Sequence, residues 1–110
     1  KLDAPGGFLD GDKESFEAAL AREVKEELGI DHTHYDTPQY LLSDIDMYDY
    51  KNETLSVITC VYWARLHANV TVTPQDDVAS VEFIPLADVR AEDMFFPAIQ
   101  TSVKKLQEML

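Results

Sequence analysis

The sequence is poor in cysteine and has no long apolar run. Its single cysteine, Cys60, cannot form a disulfide within the chain, and the apolar residues around it predict a small buried side chain in a reduced compartment. No stretch approaches the roughly 20 apolar residues that a membrane-spanning helix needs, and we expect no signal peptide before Lys1. These absences favour a cytoplasmic protein that has no membrane partner.

Basic residues are also scarce. Nine Lys and Arg residues stand against 21 Asp and Glu residues, which gives a formal net charge of −12 at pH 7. Binding to long nucleic acid depends on clustered cations that displace counterions from phosphates, and the basic residues here are scattered. The three histidines, His32, His34 and His67, lack the spacing of a zinc site on a helix face, so we interpret them as loop residues. The composition therefore disfavours long nucleic acid as a partner.

The length of 110 residues and the hydrophobic content of 45% predict one domain, residues 1–110, with a modest core. Hydrophobic periodicity and turn residues divide the chain into alternating elements. In chain order these are a helix from Lys13 to Leu28 with Asp12 as its N-cap and Gly29 as its stop, a strand from Tyr40 to Tyr50, a turn at 51–53, a strand from Thr54 to Leu66, a short strand from Val81 to Ile84, and a helix from Phe96 to Leu110.

The two long strands differ in pattern. The first places Leu41, Ile45 and Met47 on one side. The second, Thr54 to Leu66, is apolar on both faces, which predicts a central strand covered by helices on both sides. The order of the elements fits an α/β/α sandwich with a mixed sheet.

The first helix concentrates acidic residues beside its apolar face. Glu23 and Glu27 lie at the edge of that face, and Glu26 lies beside Arg22. Carboxylates four residues apart on a helix repel one another, and a divalent cation reverses this repulsion. A solvated charged face is the alternative explanation and suffices for Glu26 alone. The position of the other two at the edge of the apolar face predicts a metal platform. The apolar face itself consists of Phe16, Leu20, Val24 and Leu28.

The residues Gly7, Glu14 and Arg22 to Ile30 resemble the Nudix box, whose pattern is G-x5-E-x7-R-E-U-x-E-E-x-G-U with U an aliphatic residue. From Glu14 to Ile30 every specified position matches. Between Gly7 and Glu14 the chain has six residues where the pattern has five, so this loop carries one extra residue. The resemblance implies a Nudix-type α/β/α sandwich with a mixed sheet. Since such proteins usually have further strands before the box, we expect N-terminal strands to be lacking in this chain.

The resemblance also implies an activity. Nudix hydrolases use Mg²⁺ or Mn²⁺ to cleave a diphosphate linkage in a nucleoside diphosphate joined to another moiety, such as ADP-ribose, a dinucleotide or a nucleotide sugar. The alternative is a non-catalytic Nudix-like domain that senses nucleotides or regulates a partner, although such domains often have a broken box. The identity of the substrate and the formation of a homodimer are left open.

The family pattern assigns roles to individual residues. It implies metal binding by the carbonyl of Gly7 and the carboxylates of Glu23, Glu26 and Glu27. Glu26 and Glu27 are also expected to be catalytic, Arg22 to orient a box carboxylate, and Glu14 to assist the metal site.

In this family the general base lies either in the box or on a later loop. Asp76 and Asp77 are the loop candidates, with plain turn residues as the alternative, and we favour Asp77 because it adjoins Val78 and the run into the short strand. Tyr48 and Tyr50 lie near the spacing at which some relatives place a base-stacking tyrosine, and we interpret them as ordinary strand aromatics.

Overall fold

Two α-helices and one pair of strands form the main regular structure of residues 2–11 and 13–110, which the computed structural model describes. The strands pair in an antiparallel hairpin, and the described chain is therefore a mixed α/β structure. No helix in this part of the chain is long and apolar enough to cross a membrane. The elements are α1 (Phe16–Leu28), β1 (Gln39–Tyr50), β2 (Glu53–Trp63) and α2 (Pro97–Met109), with short 3-10 turns at Leu86–Asp88 and Ala91–Asp93.

The elements are distributed over two compact units. The α1 unit comprises residues 5–39 and 63–83, and therefore contains the whole acidic motif. The hairpin unit comprises residues 2–4, 40–62 and 84–110, and contains most of the strand pair together with α2.

Helix α1 begins later than the sequence suggested. Ser15 is the N-cap, and its hydroxyl accepts a hydrogen bond from the backbone N–H of Ala18 at 3.0 Å. The expected start at Lys13 is wrong: the helix begins at Phe16, and Glu14 lies before it, where its carboxylate contacts Arg22 and the N–H of Asp10. Asp12, the expected N-cap, lies outside the described residues. The predicted stop at Gly29 is confirmed, since Gly29 has a φ of 69° and its N–H bonds the carbonyl of Lys25 at 3.0 Å.

The hairpin confirms the two predicted long strands, although the second ends at Trp63 and not at Leu66. Its two-residue turn has positive φ at both Lys51 (48°) and Asn52 (64°), which matches the twist of the flanking strands. The turn places Ser43 of β1 opposite Cys60 of β2, and their side-chain O and S atoms lie 3.5 Å apart. Cys60 is half-buried, so the expectation of a fully buried thiol is only partly met.

Two expectations about strands are wrong. Residues 81–84 form no strand. Strand β2 pairs with β1 alone among the described residues, and the hairpin is uncovered around Ile45, Met47 and Ile58, which are 62%, 60% and 71% exposed. The two-sided apolar pattern of β2 thus does not correspond to a strand covered on both faces.

The buried face of the hairpin carries an unexpected acid. Asp46 is 2% exposed, and one of its carboxylate oxygens accepts the backbone N–H of Ala98 at 3.1 Å. The other oxygen accepts the hydroxyl of Thr59 at 2.8 Å. Phe96 supplies no side-chain cap to α2, and the carboxylate of Asp46 instead accepts one of the N–H groups that the start of the helix leaves unpaired.

Helix α2 itself agrees with the sequence pattern. Pro97 stands in its first turn, where a missing N–H costs nothing. The helix buries Ala98 and Val103, and Val103 packs with Met94 and Ala91 in the core of the hairpin unit. The predicted helix is therefore confirmed, with its bounds at Pro97 and Met109.

Candidate functional site

Arg22 is the centre of the acidic motif in α1. Its guanidinium donates to both carboxylate oxygens of Glu14, at 2.9 Å and 3.0 Å, in a bidentate pair. One of its terminal nitrogens lies 2.8 Å from Glu23 Oε1 and 3.4 Å from Glu26 Oε2. Three of the acidic residues of the motif are therefore gathered around one positive charge.

This gathering changes the ionisation of its members. The hydrogen bonds from Arg22, and next the backbone N–H of Asp10, hold the pKa of the Glu14 carboxyl below its usual range. The hydrogen bonds to Glu14 and Glu23 raise the pKa of Arg22. Both groups stay charged over the whole neutral range, so Arg22 is a permanent anchor for these carboxylates.

The same pair of residues anchors the loop with the extra residue. Arg22 donates to the carbonyl of Phe8 at 3.0 Å, and the N–H of Asp10 donates to Glu14 Oε1 at 2.7 Å. The loop is thus fixed to the helix at both points. Gly11 follows with a φ of 77°, a conformation that glycine adopts readily.

The two glycines at the start of the loop face two different carboxylates. The N–H of Gly6 donates to Glu27 Oε1 at 2.9 Å. Gly7 lies against Glu23, so closely that a Cβ atom added to it would stand 2.5 Å from Glu23 Oε1. Gly7 does not have a positive φ, and the position therefore needs glycine for space.

The loop that carries the two aspartates is attached to the end of α1. The N–H of Gln75 donates to the backbone carbonyl of Glu27 at 2.9 Å, and the N–H of Thr73 donates to that of Leu28 at 3.1 Å. These bonds satisfy carbonyls that a helix end otherwise leaves unpaired. They bring the backbone next to Asp76 and Asp77 to the last turn of the motif helix.

The two aspartates differ in backbone conformation. Asp76 has a φ of 57°, in the left-handed region that Asp tolerates better than most residues. The N–H of Val78 bonds the carbonyl of Gln75 at 3.1 Å, which closes a turn around the pair. Both side chains are exposed.

The donor set suits a hard divalent cation. Carboxylate and carbonyl oxygens are the ligands that Mg²⁺ and Mn²⁺ prefer, and Gly7 lets the backbone approach Glu23 closely. One guanidinium neutralises only one of the charges of Glu14, Glu23 and Glu26, so negative charge remains in excess.

These side chains nevertheless do not form a ready-made cage. No three metal-binding side chains among residues 2–11 and 13–110 are grouped so that they could hold an ion. Arg22 binds Glu23 and Glu26, and the amide of Gly6 binds Glu27. A cation would have to compete with these donors for the same oxygens.

Sequence reasoning did not single out three of these participants. All three act through main-chain atoms, and contacts of this kind cannot be predicted from the type of residue. They are the amide of Gly6, the carbonyl of Phe8 and the backbone of Gln75. Tyr48 stacks on Phe96 at a centroid distance of 6.3 Å, in agreement with its interpretation as an ordinary strand aromatic.

Comparison with known proteins supports the motif. The family model of the NUDIX domain matches residues 1–106, which is nearly the whole chain. No curated protein and no solved structure matches the chain significantly. The match extends far beyond the motif in α1, and the chain therefore belongs to the Nudix hydrolase family.

Proposed function

We propose that the chain is a pyrophosphohydrolase that cleaves a diphosphate linkage in a nucleoside diphosphate joined to another moiety, with Mg²⁺ or Mn²⁺ as cofactor. The observation that carries this proposal is the position of the two loop glycines. The N–H of Gly6 bonds Glu27, and Gly7 lies against Glu23, so the backbone of this loop lies beside two carboxylates of the box.

The metal ligands in this proposal are the Gly7 carbonyl and the carboxylates of Glu23, Glu26 and Glu27. When bound, the ion neutralises phosphate charge and lowers the pKa of a bound water. Arg22 acts as a positioning residue, because it holds Glu23 and Glu26 through the same guanidinium nitrogen.

The charge of the protein supports a metal-dependent reaction. A chain with a net charge of −12 repels a diphosphate, and Arg22 already contacts three carboxylates. A bound cation is the remaining means of holding an anionic substrate beside these glutamates.

The general base is assigned to the loop attached to α1. The hydrogen bond from Gln75 to the Glu27 carbonyl supports this assignment, because it connects the loop to a residue of the box. Within the loop we assign the base to Asp77 rather than Asp76. Each is replaced by Asn and the rate is measured against pH. Loss of the acidic limb in Asp77→Asn alone supports the assignment, and unchanged profiles in both variants return the role to Glu26 or Glu23.

The decisive experiment is a hydrolysis panel. ADP-ribose, dinucleoside polyphosphates and nucleotide sugars are incubated with the protein and Mg²⁺ or Mn²⁺, and the products are separated by chromatography. We expect cleavage at the diphosphate of at least one compound and none in excess chelator. Turnover in chelator would contradict the metal role. Binding of these compounds without cleavage would instead favour the nucleotide-sensing alternative.

The proposal has three further features. These are a single domain over residues 1–110, an α/β/α sandwich with a mixed sheet, and a cytoplasmic location. Long nucleic acid and membranes are not among the proposed partners.

A further inference from the structure

A small cleft in the α1 unit lies outside the acidic motif. Its volume is about 140 Å³, well below the roughly 300–1,000 Å³ of a complete small-molecule site, so it has room for one ring-sized group. Its lining residues include a tryptophan, an arginine and several residues with hydrogen-bonding side chains. The lining residues are Asp36, Thr37, Gln39, Trp63, Ala64 and Arg65.

The two walls of the cleft are joined by backbone hydrogen bonds. The N–H of Asp36 donates to the carbonyl of Arg65 at 2.9 Å, and the N–H of His67 donates to the carbonyl of His34 at 2.9 Å. The imidazole of His67 adds contacts of 3.1 Å to the Thr33 carbonyl and 2.9 Å to Asp36 Oδ1. The cleft is therefore preformed, which lowers the entropy cost of binding a ligand.

Arg65 is unusual among the arginines of this acidic chain. Arg22 and Arg90 each contact carboxylates, whereas Arg65 has no carboxylate within ion-pair distance among the described residues. Its guanidinium instead lies over the ring of Trp63, 5.7 Å from the centroid. Both Trp63 and Arg65 line the cleft, so an indole ring and a guanidinium without a carboxylate partner in the described part of the chain belong to the same wall.

We propose that this cleft receives the nucleobase of the substrate. The inference rests on the proposed function, since it assigns a place to the nucleoside part of that substrate. Trp63 and Arg65 offer stacking surfaces for a heterocycle, and Thr37 and Gln39 offer hydrogen bonds to its edge. Asp36 adds a negative charge to the lining, which disfavours a phosphate group in the same place.

The first test uses the intrinsic fluorescence of Trp63, the single tryptophan of the chain. Adenosine, guanosine, cytidine and uridine are titrated in chelator, with ribose 5-phosphate and pyrophosphate as controls without a base. At least one nucleoside should quench the emission saturably, while the controls should not. Saturable quenching by ribose 5-phosphate or pyrophosphate alone, or by none of the compounds, would overturn the assignment.

Two matched variants locate the binding. Arg65→Ala should weaken the nucleoside titration about tenfold, as expected for loss of one stacking surface. Arg90→Ala should leave it unchanged, because Arg90 is exposed and pairs with Glu92. Equal affinities in both variants would place the nucleoside elsewhere and overturn the assignment.

Kinetics separate this inference from the proposed function. On a cleaved substrate, Arg65→Ala should raise KM and leave kcat unchanged, since the cleft binds the ground state and the transition state equally. Quenching without hydrolysis of any panel compound supports the nucleobase cleft and contradicts the pyrophosphohydrolase. Hydrolysis without quenching overturns the cleft alone.

Discussion

Gly7 offers the sharpest perturbation of the candidate metal site. In Gly7→Ala the new Cβ would stand 2.5 Å from Glu23 Oε1 and 2.6 Å from Cδ, whereas ordinary contacts lie at 3.4–4 Å. The backbone of Gly7 does not have a positive φ, so alanine fits the backbone without strain. The carboxylate of Glu23 must therefore retreat by about 1 Å.

The size of the effect follows from this displacement. Misplacement of a catalytic group by about 1 Å can lower a rate about 10²-fold. We expect a loss in kcat of that order in Gly7→Ala, together with weaker Mn²⁺ binding. Stability should stay the same or rise slightly, since replacing glycine at a compatible position restricts the unfolded chain.

Gly6→Ala is the matched control. A Cβ on Gly6 meets nothing within 4 Å, and the N–H that bonds Glu27 at 2.9 Å is retained. Both variants are compared by steady-state hydrolysis, by Mn²⁺ titration with electron paramagnetic resonance, and by thermal unfolding. The control should match the parent protein in hydrolysis and in Mn²⁺ binding, and its stability should likewise stay the same or rise slightly.

Two results would refute this reasoning. Parental kcat and Mn²⁺ affinity in Gly7→Ala would mean that Glu23 works from another position or not at all. Equal losses in Gly6→Ala and Gly7→Ala would show that the loop as a whole, and not the contact with Glu23, is sensitive to substitution.

Three further predictions concern charged groups. Glu27→Gln keeps the shape and removes the charge, and should lower kcat about 10²-fold or more in the hydrolysis assay, with an unchanged circular dichroism spectrum. Asp46→Ala leaves the N–H of Ala98 unpaired in a buried place and should cost about 2–3 kcal/mol in urea unfolding, while Asp46→Asn, which keeps an acceptor, should cost less. Because Arg22 lowers the pKa of Glu14, the free energy that this ion pair adds to folding should be complete at neutral pH. It should be lost as the pH falls from the ordinary glutamate range through the lowered pKa of Glu14. In Glu14→Gln, the free energy of unfolding should therefore change less over that pH range.

Local signals predicted much of the fold. The apolar spacing in α1 and α2, the glycine at position 29 and the turn at Lys51 and Asn52 act within a few residues of the chain, and the corresponding elements are observed. The start of α1 was missed by three residues, because Ser15 is the N-cap and the helix begins at Phe16. Capping depends on which side chain turns back to a backbone N–H of the first turn, and here the hydroxyl of Ser15 accepts from Ala18.

Contacts between distant residues were not predictable in the same way. The carboxylate of Asp46 caps a helix that begins 51 positions later at Pro97, and nothing near Asp46 in the sequence signals that partner. The attachment of Gln75 to the Glu27 carbonyl uses backbone atoms alone. Residues 81–84 have a strand-like composition but pair with neither strand of the sheet that the structure describes, and composition alone cannot predict such pairing.

The attachment of the Thr73–Gln75 segment to the end of α1 has a consequence for refolding. These hydrogen bonds join residues that are separated by a long stretch of chain, which includes the whole hairpin. They can form only after this large loop has closed. Helix α1 and the hairpin depend on contacts close in sequence and form sooner. During refolding from denaturant, the helical circular dichroism signal should therefore return before the capacity to bind Mn²⁺. The interval between the two measures how slowly the Thr73–Gln75 segment attaches to the end of α1.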